Sequence, residues 1–133
     1  KYWLHTGAVS YKNAKMSKSL GNLVLVSDLL KTYSPNAIRW MLLSHHYRKS
    51  WEFTESEIKK AEENIDIIEK YIKKSQVDNS DYEDYILKKQ FTEYMDNDLQ
   101  TPDILFYILE LTKKDSKNKK AVISILQTLG FLL

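Results

Sequence analysis

The sequence contains no cysteine. No disulfide can form and no thiolate can bind a metal, which fits a cytoplasmic setting. Long apolar runs are missing as well: none approaches the roughly 18 residues that a membrane-spanning helix needs, so no membrane partner is expected. Histidine is scarce, limited to His5, His45 and His46. Neighbouring histidines on a helix point in different directions and no carboxylate sits at a familiar ligand spacing, so no metal is expected within the chain. The chain also opens on Lys1, without an initiator methionine or a charged-then-apolar leader, and the expectation is a piece of a longer protein.

What is present is material for one ordinary core or two small ones, with 133 residues of which 43% are hydrophobic. Residues 2 to 10 alternate aromatic, aliphatic and small side chains as a short strand does, and Tyr11-Lys12-Asn13 reads as a turn. Helices then dominate. Ser27 is positioned to cap a helix through Tyr33, and Ser34-Pro35 forms an N-cap and first-turn pair for a helix carrying Ala37, Ile38, Met41, Leu42 and His45. Thr54-Glu55-Ser56-Glu57 has capping-box spacing, and Ile58, Ala61, Ile65, Ile68 and Ile72 recur at alternating steps of three and four, predicting one long amphipathic helix. That stripe needs partners, which the following segments offer. Residues 75 to 84 read as a polar connector, and Tyr85, Ile86, Phe91, Tyr94 and Met95 suggest a second bundle helix. Thr101-Pro102 starts a third with Ile104, Leu105, Ile108, Leu109 and Leu111. Asp115 or Ser116 starts a fourth with Val122, Ile123, Ile125, Leu126 and Leu129, which Gly130 closes. The predicted fold is mainly α: a short β segment and a loop, a helical junction, then an antiparallel helix bundle.

The segment that carries chemistry is Lys15-Met16-Ser17-Lys18-Ser19, running on into Leu20-Gly21-Asn22. It places two ammonium groups and two hydroxyls on one short loop. Lysine acts as a point charge toward phosphate oxygens and serine adds donors, so such a loop can meet negative charge that builds up during phosphoryl or nucleotidyl transfer. A solvated surface turn has the same composition. Charge is unevenly spread: residues 1 to 53 carry eight Lys/Arg against two Asp/Glu, and residues 54 to 133 carry twelve against sixteen. The basic part suits phosphate partners, although a solvated basic face accounts for it equally, and the acidic part argues against generic nucleic-acid binding.

This pentapeptide resembles the signature loop of class I aminoacyl-tRNA synthetases, and its flanks resemble the cysteinyl-tRNA synthetase family. Upstream, Tyr2-Trp3-Leu4-His5-Thr6-Gly7 is similar to the family's approach to the loop. Downstream, Leu42-Leu43-Ser44-His45-His46-Tyr47-Arg48 is similar to its Leu-Leu-Ser-x-His-Tyr-Arg stretch. Met95-Asp96-Asn97-Asp98-Leu99-Gln100-Thr101-Pro102 resembles its Met-Asp-Asp-Asp-x-Asn-Thr-Pro turn, with Asn97 and Gln100 departing from the pattern. The blocks run in the family's order from residue 2 to Gly130.

The resemblance implies a ligase that activates cysteine with ATP and Mg²⁺ to cysteinyl-adenylate and passes the acyl group to tRNA(Cys), in a cytoplasmic, monomeric parent. Lys18 and Lys15 are then the catalytic candidates. Lys15, Met16, Ser17, Lys18 and Ser19 form the ATP-contacting loop, with Met16 anchoring it in an apolar pocket and Gly21 permitting a close turn. Arg48 is the RNA-contact candidate. Arg39, His46 and Arg48 have a second reading as braces of a domain junction, and the Asp96 to Pro102 turn reads as a helix-capping junction. Residues 1–53 are expected to end a catalytic region and residues 54–133 to form a tRNA-binding helical bundle. The family's zinc site and the rest of its nucleotide fold are expected upstream, so the 133 residues alone are expected to form no adenylate. Two other classes fit the same residues: the cysteine ligase of mycothiol synthesis, and a noncatalytic tRNA-binding module.

Overall fold

The computed structural model describes residues 1–74, 81–114 and 117–133. Its elements are β1 (Val9–Tyr11), β2 (Ala14–Lys15), α1 (Val26–Leu29), α2 (Pro35–Leu43), β3 (Trp51–Glu52), α3 (Glu55–Lys74), α4 (Asp81–Asp96), α5 (Thr101–Lys113) and α6 (Lys119–Thr128). The molecule is mainly helical with one small sheet in the order β2-β1-β3, where β1 pairs antiparallel with β2 and parallel with β3. The predicted strand over residues 2 to 10 forms only from Val9, where β2 and β3 supply backbone partners. Lys12 and Asn13 make the turn with φ of 54° and 61°, the left-handed pair that matches hairpin twist.

Ser34 caps α2 as predicted: its hydroxyl accepts the Ala37 N–H at 3.1 Å and Pro35 occupies the first turn. The Ser27 cap does not form. Helix α1 starts two residues earlier, after Leu25, without a side-chain cap, and has given way to turns by Thr32 and Tyr33. Half of the predicted capping box is made, since Thr54 Oγ1 accepts from Glu57 N–H at 3.3 Å. The Glu57 carboxylate turns instead toward His45, with Oε1 at 3.8 Å from Nε2 and Oε2 buried without a hydrogen-bond partner.

One apolar core runs through α2, α3, α4, α5 and α6, with Ile58, Ile68, Leu87, Ile104, Leu105, Ile108, Val122 and Leu126 among its fully buried side chains. Each such residue stabilises the fold by about 1.5–3 kcal/mol relative to leaving it in water. Helix α3 lies between α2 and α5, so it covers a broader sector than the predicted stripe: Tyr71 is buried and Ile72 only partly. Helix α4 differs more. Tyr85 and Ile86 face water, while Asp84 and Leu87 face inward, in step with the partly buried Phe91, Tyr94 and Met95. The inward row begins with a carboxylate, which hid it from a reading based on apolar periodicity. Asp84 Oδ1 accepts the Ala121 N–H at 3.3 Å, satisfying a free donor in the first turn of α6.

Of the predicted connector, residues 81 to 84 belong to α4, while residues 75–80 lie outside the described residues, as do Asp115 and Ser116. Helix α6 follows Asn118, and Gly130 closes it at φ 86° with a paired return: Gly130 N–H to Gln127 O and Phe131 N–H to Leu126 O. The chain beyond folds back onto α2, where the buried Asn36 side chain donates to Leu132 O at 2.7 Å and accepts Leu132 N–H at 2.9 Å.

Candidate phosphate-binding loop

Strand β2 delivers the chain directly into the lysine-rich loop. Met16 N–H donates to Val9 O at 3.1 Å, the last backbone tie to β1, and the Met16 side chain is partly buried against the core. From there the loop is closed by one side chain. Asn22 Oδ1 accepts Ser17 N–H at 2.9 Å and its Nδ2 donates to Lys15 O at 3.3 Å, bridging the two ends of the segment. Within that bridge Ser17 Oγ accepts Leu20 N–H at 3.3 Å and lies 3.2 Å from Ser19 Oγ. Gly21 sits at φ 63° and donates to Lys18 O at 3.2 Å, a tight turn that a Cβ would strain. Lys15, Lys18 and Ser19 are exposed on the outside of this turn, whereas Met16 and Ser17 are half-buried.

The geometry sorts the predicted residues. Lys15 and Lys18 are both exposed, Met16 packs partly buried against the apolar core, and the Ser17 hydroxyl accepts an internal bond from Leu20 N–H.

Behind the loop, β1 is tied to the segment that follows α2. Gly7 N–H donates to Tyr47 O at 2.7 Å, Ala8 N–H to Ser50 Oγ at 3.1 Å, and Trp51 N–H to Ala8 O at 3.1 Å. Asn13 N–H reaches the Glu52 carboxylate at 2.7 Å. The Trp51 ring stacks on His45 at 4.0 Å between centroids. Burial lowers the His45 pKa from its ordinary value, outweighing the opposing pull of Glu57.

Arg48 is engaged with protein. Its Nε and Nη2 donate to Asp98 Oδ2 and Oδ1 at 2.7 and 3.0 Å, a bidentate fork, and Tyr47 Oη also donates to Oδ1. His46 Nε2 lies 2.9 Å from the Asp98 carbonyl. The Arg48 hydrogen bond chiefly, then that of Tyr47, holds the Asp98 carboxyl down to about 2. The same carboxylate raises Tyr47 and Arg48 above their ordinary values. Arg39 is spent similarly, reaching Leu129 O at 3.5 Å beneath Gly130. The structure therefore brings His46 and Arg48 together with the α4–α5 turn, and places Arg39 at the C-terminal end of α6. Sequence reading missed Asn22 and Asp98 as the residues that organise these contacts. Asn22 carried a faint signal, an amide directly after a turn glycine; Asp98 stood out only as part of the Met95–Pro102 block, with nothing local to name Arg48 as its partner.

Residues 1–63 match the family of class I tRNA synthetases (C), catalytic domain. Over nearly its whole length the chain is similar to cysteine-tRNA ligases. That of Acholeplasma laidlawii is 36% identical over 141 residues, covering 98% of this chain and 32% of the relative. That of Streptococcus agalactiae is 36% identical over 142 residues, covering 98% and 31%. That of Thermococcus onnurineus is 35% identical over 127 residues, covering 84% and 27%. The chain belongs to the class I aminoacyl-tRNA synthetases. Within them it is a member of the cysteinyl-tRNA synthetase family, and it spans roughly a third of the length of the curated relatives it matches.

Proposed function

We propose that this stretch supplies the ATP-contacting loop and part of the tRNA-binding region of an enzyme that activates cysteine and transfers it to tRNA(Cys). The observation that carries the proposal is the Asn22 bridge, which closes the Lys15–Ser19 loop while both of its lysines stay exposed. Attack of the cysteine carboxylate on the α-phosphate of ATP breaks the bond to pyrophosphate, and negative charge grows on the phosphoryl oxygens and the leaving group. Lys18 Nζ meets that charge, Lys15 assists, and Ser17 and Ser19 hydroxyls donate or shape the turn; Met16 holds the loop to the core. The acyl group then passes to the terminal ribose of the tRNA.

ATP enters as a substrate with Mg²⁺ on its phosphates. The residues here do not fit the zinc of the wider family, since among the described residues no three His, Asp or Glu side chains converge, and no step is drawn through it. Residues 1–53 act as the end of the catalytic region and residues 54–133 as the helical part that meets tRNA. Arg48 uses only part of its guanidinium on Asp98, so its remaining N–H groups can reach a phosphate while the fork holds it. We place the parent ligase in the cytoplasm as a monomer, where charged tRNA is consumed. That the matching relatives are cysteine-tRNA ligases supports tRNA as acyl acceptor over the acceptor of mycothiol synthesis. The test is cysteine-dependent ATP/pyrophosphate exchange by the complete enzyme carrying Lys18→Ala. Severe loss is expected, and an unaltered rate overturns the assignment.

A further inference from the structure

We propose that Asp98 is a positioning residue for the Lys15–Ser19 loop, acting from the turn between α4 and α5 through Arg48, Tyr47 and His46 on the strand that feeds the loop. This rests on the phosphate reading of that loop.

The argument begins with the turn. Asp98 and Leu99 both adopt φ of 55°, a conformation uncommon for non-glycine residues and unfavourable for a branched apolar one. Leu99 N–H returns to Met95 O at 3.1 Å and Gln100 N–H to Tyr94 O at 3.0 Å, so the chain leaves α4 by a wide left-handed exit. In this arrangement the Asp98 carboxylate meets the segment after α2, fifty residues away in sequence. Four contacts from three consecutive residues converge on Asp98: the two arms of the Arg48 fork and the Tyr47 hydroxyl at its carboxylate, and His46 at its backbone carbonyl. The Arg48 guanidinium also lies over the Tyr47 ring, 5.0 Å from its centroid. One aspartate thus ties three consecutive residues through its side chain and its backbone.

What that segment holds is β1. The Tyr47 carbonyl accepts Gly7 N–H, Ser50 Oγ accepts Ala8 N–H, and Trp51–Glu52 forms the strand parallel to β1. Gly7 lies so close to Lys49 that an added Cβ would sit 2.2 Å from its carbonyl oxygen. Any shift of residues 46 to 50 must therefore move β1, and β1 pairs with β2, whose last residue is Lys15. Rigid, hydrogen-bonded links of this kind transmit displacement, and small misplacement at a reacting centre is costly in rate.

The conservative variant Asp98→Asn separates charge from backbone, because asparagine tolerates the left-handed conformation but cannot hold a charged fork. Arg48→Lys is the second probe: it keeps the charge and loses the planar fork. In the complete enzyme, hydrogen exchange of the Gly7, Met16 and Trp51 amides is expected to rise about tenfold or more in both variants, with amides of α3 and α5 unchanged. The kcat of cysteine-dependent ATP/pyrophosphate exchange is expected to fall about 10- to 100-fold, with KM for cysteine unchanged. Unchanged exchange at Gly7, Met16 and Trp51 overturns the proposal; so does an equal rise in α3 and α5, which a merely stabilising residue would produce, or a retained kcat. Lys18→Ala tests the phosphate reading separately. Its side chain makes none of these links, so that reading can fail while the amide result stands.

Discussion

Asn22 closes on Ser17 across the turn, its carboxamide oxygen accepting the Ser17 N–H at 2.9 Å while its amide nitrogen reaches back to Lys15 O. No other residue type of similar size supplies both a donor and an acceptor in that plane. Asn22→Asp keeps the acceptor and loses the donor, and Asn22→Ala loses both. Adenylate formation by the complete enzyme is expected to fall in the order Asn22→Asp, then Asn22→Ala, the latter by about tenfold or more through loosened positioning. Pyrophosphate-exchange kinetics check this, and an Asn22→Ala enzyme with the parent rate contradicts it.

Lys18 is exposed and carries no buried contact. Lys18→Ala should therefore leave the unfolding midpoint within the range of ordinary surface substitutions, about 0.5 kcal/mol. The same change should lower exchange by about 10²–10³, the range seen when one preset donor to a developing charge is removed. Denaturant unfolding alongside kinetics separates the two effects.

Two glycines predict different costs for the same substitution. At Gly7 an added Cβ meets backbone, with Lys49 O at 2.2 Å and Ser50 N at 2.6 Å, and backbone cannot step aside. Gly7→Ala is expected to destabilise by about 3 kcal/mol or more, at the upper end of overpacking costs. At Gly130 the nearest atom is Arg39 Nη1 at 2.8 Å, the tip of a flexible side chain, so the cost of Gly130→Ala is set by φ 86°, about 1–2 kcal/mol. Thermal melts of both variants should rank Gly7→Ala well below Gly130→Ala.

Acid should weaken the fold in two windows. His45 is held below its ordinary value of 6.5 by burial. The unfolded chain therefore takes up that proton first, and the stability tied to neutral His45 is complete above about pH 6.5 and lost as pH falls toward the lowered folded value. Asp98 is held at about 2 by Arg48 and Tyr47. Its contribution is complete above the ordinary carboxylate range and disappears as pH falls through about 2. Urea denaturation against pH should show a flatter slope below pH 6.5 for His45→Phe, which keeps a ring against Trp51 but cannot titrate. The gap between parent and Asp98→Asn should close on approaching pH 2.

The parts of the fold legible in the chain were those governed by neighbours in sequence. Ser34-Pro35, the hairpin turn at Lys12-Asn13, the Gly130 stop and the rows Ile58 to Ile68 and Ile104 to Leu109 each rest on interactions within a turn or two of helix or hairpin. The loop itself was legible for the same reason, since its lysines and hydroxyls are contiguous. Asp84 and Glu57 were misread because local rules assigned them to a connector and a capping box. Each instead serves a partner brought up by folding, Ala121 in one case and His45 in the other.

The chain alone therefore determined its class, its helical bundle and the lysine-bearing loop, because contiguous chemistry and short-range periodicity are written residue by residue. Only the tertiary structure decided that Asp98 grips Arg48, that Trp51 and Glu52 form a strand beside β1, and that Asn36 holds Leu132. Those contacts join residues from about forty to nearly a hundred positions apart. They exist once burial of the shared apolar core has offset the entropy of bringing such distant segments together.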